Sequence, residues 1–168
     1  MRYIDFDGVI LDTEDVLFYE WRKNPNRHQL PESAKIRYIQ EYDWEYVLKN
    51  SSVINNSISI LKMMEIKDTA ILTKVHSLDN EGYQKIKFLR ECGIRQNIIL
   101  VPYKLKKVDV VDAKGNILID DSLKNLTEWV QMGGYPMFFD KKKNNVDSWG
   151  EYNYKGYQRI LKINEKKL

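Results

Sequence analysis

Cysteine is almost missing from this chain. Cys92 stands alone among 168 residues, so no intrachain disulfide can form and nothing asks for an oxidising compartment. Histidine is nearly as scarce. His28 and His76 are the only two, and with a single cysteine they cannot build the usual structural zinc site. Neither has ligand-type neighbours in sequence, so both read as surface or loop residues. No apolar run approaches the length of a membrane span. Met1-Arg2-Tyr3-Ile4 runs straight into acidic residues, where a signal peptide would need an apolar stretch. The expectation is a soluble cytoplasmic protein with no membrane partner. A dominant charge is lacking too: 27 basic residues face 24 acidic ones, for a net +3, which gives no global pull toward nucleic acid or a membrane surface. Apolar residues, by contrast, are plentiful. At 43% hydrophobic and 12% aromatic, the chain can bury a real core, which excludes disorder. Its length suits one domain with a small insertion.

Short apolar runs recur along the chain, each bounded by polar or glycine-rich turns. They are Tyr3-Ile4, then residues 69–73 (TAILT), 97–101 (NIILV), 116–120 (NILID) and 135–139 (YPMFF). Continuous rather than alternating apolarity suits strands covered on both faces, as in a parallel sheet. Helical patterns lie between them. Over 82–92, Tyr83, Ile86 and Leu89 share a face and Gly93 marks the stop; over 122–132, Ser122 reads as the N-cap, Leu123, Leu126 and Val130 share a face, and Gly133-Gly134 ends it. The alternation predicts a doubly wound, Rossmann-like α/β fold with a parallel sheet of about five strands.

Residues 15–68 break this rhythm. Ile36, Ile39, Tyr46 and Val47 fit one helix, Ile54, Ile58, Leu61 and Met64 fit another, and 22–31 reads as a polar loop. Roughly 50 residues are too many for an ordinary crossover. The segment reads as a small helical cap, with 1–14 and 69–168 forming the α/β core.

Acidic pairs close two of the strands: Asp5 and Asp7 after the first, Asp120 and Asp121 after the fourth. In open parallel sheets ligands bind beyond the carboxyl ends of strands, where the strand order reverses. Four carboxylates meeting there would repel one another. A hard divalent cation with oxygen ligands resolves that, and Mg²⁺ is the natural one. Gly8 lets the backbone turn away and leaves room beside the main chain.

The run Asp5-Phe6-Asp7-Gly8-Val9, extended by Asp12-Thr13-Glu14, resembles the first motif of the haloacid dehalogenase (HAD) superfamily. Thr73, closing an apolar strand, resembles the second motif's hydroxyl, and Ile117-Leu118-Ile119-Asp120-Asp121 is similar to the final acidic motif. Order and spacing match from residue 2 to about residue 139, and Asp120-Asp121-Ser122 with the modest insert most resembles the 5'(3')-deoxyribonucleotidase-like branch. The third motif asks for a lysine before the acidic pair, and Lys104, Lys106 and Lys107 all qualify. Lys107 is preferred because Val108-Asp109-Val110-Val111 follows it as a short helix follows that branch's lysine; Lys104 is the fallback.

The resemblance implies a phosphoric monoester hydrolase. Asp5 would be the nucleophile that becomes an aspartyl-phosphate, and Asp7 the acid and then the base. Thr73 would donate to a phosphate oxygen, with Lys107 (or Lys104) holding the phosphoryl group. Asp5, Asp120, the Asp7 carbonyl and, through water, Asp121 would hold Mg²⁺. Ser122 would open a helix whose amides face the anionic cleft. An acid at position 7 implies phosphoryl rather than halide chemistry. The substrate expected is a small phosphorylated metabolite, with nucleotides among the candidates. The alternatives are a phosphatase acting on nucleic-acid ends, with the lysines around 104–107 as its handle, and a catalytically silent HAD-like binding or regulatory protein. A receiver domain is disfavoured, because its acceptor sits on the third strand and here that strand ends Leu100-Val101-Pro102. The insert's Trp21, Tyr38, Tyr42, Trp44 and Tyr46 could line a pocket for a flat substrate, although packing is the commoner use of such residues. Lys141-Lys142-Lys143 reads as a solvated turn, and Tyr157, Ile160 and Leu161 make a helical pattern without assignable chemistry.

Overall fold

The computed structural model describes residues 1–140; the 141–143 lysine turn and the helical pattern around 157–161 lie outside the described residues. A five-stranded parallel sheet organises them. Its strands are β1 (Arg2–Ile4), β4 (Thr69–Val75), β5 (Asn97–Pro102), β6 (Ile117–Asp120) and β7 (Tyr135–Phe138), in the order β5-β4-β1-β6-β7. The two short strands β2 (Leu11–Asp12) and β3 (Ser52–Val53) pair antiparallel in a separate ribbon, which the sequence pattern did not suggest. Five helices lie between β2 and β4: α1 (Thr13–Leu17), α2 (Tyr19–Lys23), α3 (Glu32–Glu41), α4 (Trp44–Asn50) and α5 (Ser57–Met63). Then α6 (Tyr83–Glu91) joins β4 to β5, and α7 (Leu123–Gln131) joins β6 to β7.

Both sheet faces are buried, as continuous apolar strands require. Successive residues on a strand point to opposite faces, so Ile4, Ile71 and Ile119 enter one cluster and Tyr3, Ala70, Leu72 and Leu118 the other. The first cluster extends into Leu17, Ile39, Trp44, Val47 and Leu61 of the helical segment. The second is closed by Leu126 and Trp129 of α7. Gly134 is required there, since a Cβ would collide with the Trp129 ring, whose Nε1 donates to the Asn116 carbonyl at 3.0 Å.

Several local expectations are corrected. The pattern from Ile36 to Val47 is two helices, not one. The chain breaks at Tyr42, and Asp43 caps α4 by accepting from the Tyr46 amide at 2.9 Å. On α6, Tyr83 and Ile86 are 58% and 36% exposed, whereas Lys85 and Leu89 are buried. The face that packs is therefore one step round from the apolar stripe, and it carries a lysine. On α7, Leu123 is exposed and Trp129 takes its place in the core. Strand β4 runs to Val75, so Thr73 lies inside it rather than closing it. Ser122 does cap α7, accepting from the Asn125 amide.

Candidate active site

The chain leaves β1 for β4 on one side and β6 for β7 on the other, so connections diverge between β1 and β6. Such a divergence opens a crevice at the strands' carboxyl ends. Asp5 immediately follows β1, and Asp120 is the last residue of β6. The Asp5 amide donates to the Ile119 carbonyl at 2.9 Å, which locks the two ends in register. Beyond Asp5 the backbone curls tightly. Ile10 and Leu11 donate to the Phe6 carbonyl, Gly8 donates to Leu11, and Ser57 Oγ anchors the Ile10 carbonyl at 2.8 Å. Gly8 has φ +71°, and a Cβ there would strike the Asp121 carboxylate. Only glycine lets the turn pass so close to the second acidic pair.

Carboxylate oxygens of Asp5, Asp120 and Asp121 lie within 4.8 Å of one another. At that spacing two full charges repel by about 3 kcal/mol at an effective dielectric of ~20. Lys107 offsets part of this. Its buried ammonium sits 2.8 Å from Asp5 Oδ1 and 2.6 Å from Asp120 Oδ2. Burial works against that charge, but Asp120 and Asp5 together outweigh it and hold the lysine's pKa up. Asp120 is held on both oxygens: Oδ1 also accepts from the Ser122 amide at 2.8 Å, and Asn125 Nδ2 donates to both oxygens. Asp5 is not saturated. Its Oδ1 is buried without a properly directed hydrogen bond, despite the short ion-pair distance to Lys107. Burial raises the Asp5 carboxyl to about 7; Lys107 opposes the shift, while Asp120 and Asp7 add to it. Asp121 stands at the rim, exposed by surface area but with its carboxyl crowded. That desolvation, ahead of repulsion from Asp5 and Asp120, raises it to about 7 as well.

An orphaned buried oxygen, three converging carboxylates and a charge deficit fit a hard divalent cation. The donor set is all oxygen, as Mg²⁺ prefers.

Of the three lysines, Lys107 alone enters this cluster. Lys104 is exposed, with its ammonium over the Tyr103 ring, and Lys106 lies 4.0 Å from Glu128. The Asp7 carboxylate turns elsewhere. Its Oδ1 accepts from Thr13 Oγ1 at 2.7 Å and its Oδ2 from Lys85 Nζ at 2.5 Å. Thr73 is fully buried, with Lys85 Nζ 3.4 Å from its hydroxyl. Lys85 and Asn125 were not foreseen. Lys85 lies on the polar side of the apolar stripe of 82–92, yet Glu81-x-x-x-Lys85 is the spacing of a helical ion pair and is the one local signal for it.

His76, in the turn after β4, is not bare surface: its amide donates to Glu81 at 2.6 Å and its ring stacks on Tyr103. His28 is exposed. The insert's aromatic residues mostly pack on each other, with Tyr38 touching Trp21 and Tyr42 at 5.0 Å between ring centroids. A cleft of about 550 Å³ does open in this segment. Phe18, Trp21, Arg22, Arg27 and Lys35 line it beside Glu14, so Trp21 is the one residue of the expected aromatic lining that reaches it. No helix among the described residues is long and apolar enough to cross a membrane.

No family model matches the sequence, and no curated protein does. The likeness found is one of fold: the chain is similar to a HAD-superfamily hydrolase from Ehrlichia chaffeensis, covering 96% of each chain with a TM-score of 0.50 at 13% identity.

Proposed function

We propose that this protein is a Mg²⁺-dependent phosphomonoester hydrolase working through an aspartyl-phosphate on Asp5. The observation carrying the proposal is the buried Asp5 carboxylate, held beside the Lys107 ammonium with one oxygen unsatisfied, in a cluster of three acids. The fold likeness to a HAD-superfamily hydrolase supports the same chemistry. In this reading an Asp5 oxygen attacks phosphorus while the bond to the leaving oxygen breaks, and the Asp7 carboxyl, protonated on Oδ1 after Thr13 releases it, gives that oxygen its proton. Asp7, now a carboxylate, takes a proton from water. The water's oxygen bonds to phosphorus, and the aspartyl oxygen–phosphorus bond breaks, restoring Asp5. Lys107 offsets the repulsion between a carboxylate and a phosphate dianion, which is the largest obstacle to attack. The Thr73 hydroxyl, which donates to the Lys74 carbonyl at 3.3 Å, would turn to donate to a phosphate oxygen. Asp5, Asp120, Asp121 and the Asp7 carbonyl would hold Mg²⁺, which when bound neutralises developing phosphoryl charge. The helical segment 15–68 acts as the cap over the site, and a small phosphorylated metabolite, with nucleotides as the first class to try, is the substrate.

A phosphate-release screen over a metabolite panel with Mg²⁺, run beside Asp5→Asn, tests this. Turnover that vanishes in the variant supports the reading. No turnover on any substrate, or turnover indifferent to Asp5→Asn, would sink it and leave a silent binding protein.

A further inference from the structure

Lys85 is the most deeply buried charge in the described chain that the reaction just outlined does not use. Its side chain has no exposed surface, and it runs from α6 between the Phe6 and Trp44 rings, which lie 5.2 and 5.0 Å from the ammonium. The ammonium makes two charged contacts, to Glu81 Oε1 at 2.7 Å and Asp7 Oδ2 at 2.5 Å. Its third donor is left to the Lys74 carbonyl at 3.3 Å or Thr73 Oγ1 at 3.4 Å.

Burial of a lysine is costly unless its charge is fully met. If neutralising the turn were the only purpose, Glu81 at the preceding helical turn would suffice, since His76 already holds the other oxygen of Glu81. The ammonium instead reaches across 78 positions of sequence to Asp7. With Thr13 on Oδ1 and Lys85 on Oδ2, the Asp7 carboxylate is gripped on both oxygens from two different elements, which fixes its plane.

We propose that Lys85 is a positioning residue for Asp7: braced by Glu81 and boxed by Phe6 and Trp44, it anchors Oδ2 and the plane of the carboxyl, so that Oδ1, once Thr13 lets it go, is the oxygen that transfers protons. The inference rests on the hydrolase reading and deepens it. Because Trp44 belongs to the helical segment and packs on the ammonium, the same contact ties that segment's seating to the acid–base group.

The test separates proton transfer from everything else by the leaving group. p-Nitrophenolate departs without a proton, whereas an alkoxide needs one. Lys85→Met is compared with wild type on p-nitrophenyl phosphate and on glycerol phosphate, with Mg²⁺ present. Loss of Lys85 leaves Glu81 buried and unpaired, so Lys85→Met/Glu81→Gln, which removes both charges, is measured alongside as the fold-preserving variant. The expected result is a fall of about 100-fold in kcat on glycerol phosphate with KM little changed, the size of a general-acid contribution. On p-nitrophenyl phosphate the first turnover stays within about 3-fold of wild type and appears as a burst of one nitrophenolate per enzyme, because only the water step needs Asp7. Lys85→Arg, which keeps the charge, should recover part of the loss. Equal loss on both esters in the first turnover, or no loss on either, overturns the role of Lys85 while leaving the hydrolase reading intact. A wild type that hydrolyses neither these esters nor any member of the metabolite panel, or an Asp5→Asn variant as active as wild type, overturns the hydrolase reading and this inference with it.

Discussion

Asp5→Asn should make the metal-free protein more stable, and more so at pH 8 than at pH 5. The Asp5 carboxyl is raised from 3.8 to about 7 in the folded chain, chiefly by burial. Across that window the native state keeps a proton that the unfolded chain has released, so stability falls as pH rises and the full cost is reached above pH 7. A shift of that size corresponds to roughly 4 kcal/mol at pH 8 and to less than half of that at pH 5. Asparagine has nearly the same shape and no charge. Whatever packing it alters is the same at both pH values and cancels in the comparison; the Lys107 attraction is already contained in the Asp5 shift, and the Asp121 carboxyl, which Asp5 helps to raise, moves the comparison in the same direction. The pH-dependent part of the variant's advantage is therefore about 2 to 3 kcal/mol. Urea unfolding of both proteins in EDTA at pH 5 and pH 8, extrapolated to water, measures it directly. A difference between variant and wild type that is flat across the two pH values, or shrinks at pH 8, refutes the reasoning that Asp5 is held against its own charge.

The same strain should be relieved by the cation. At pH 8, Mg²⁺ at a hundred times its dissociation constant should stabilise wild type by about 2.7 kcal/mol, with little effect on Asp5→Asn; equal shifts in calorimetric Tm would place the ion elsewhere. Lys107→Met should lower kcat by about 100-fold or more, whereas Lys104→Met stays within about 3-fold, because its ammonium lies over Tyr103 outside the cluster; steady-state kinetics on one substrate decides, and the reverse order would reject the assignment. Gly8→Ala should cost about 1 to 3 kcal/mol through its left-handed φ and its clash with Asp121, and should blunt the Mg²⁺ shift as well; a variant with wild-type stability and metal response would deny that the turn cradles the second acidic pair.

What could be read in the sequence was what depends on local pattern. Continuous apolar runs gave the parallel strands, Ser122 announced the start of α7, and the Asp5–Asp7 and Asp120–Asp121 pairs stood at strand ends because side-chain chemistry and strand length are both written locally. What escaped depends on long-range packing. Lys85 could not be told from a solvated lysine until Phe6 and Asp7 of the turn after β1 and Trp44 of α4 closed round it from two distant segments. The choice among Lys104, Lys106 and Lys107 likewise needed the fold, since one residue's difference in register decides which ammonium points at Asp5. The break at Tyr42-Asp43 was missed because the apolar spacing runs through it unperturbed, and only the Asp43 cap betrays it.

Strand β1 has a consequence for how the protein comes into being. It is three residues long and holds no hairpin partner; Arg2 pairs with Thr69 on one side and Ile117 on the other. Closing loops of that length costs entropy before any contact repays it. During synthesis the segment bearing the nucleophile is made before both of its neighbours: β4 offers the first edge, and its pairing is complete only when β6 follows. The residue proposed to begin the reaction is thus made before either strand that fixes it, and any delay near the second acidic pair would leave one edge of Tyr3 and Ile4 open to the wrong partners.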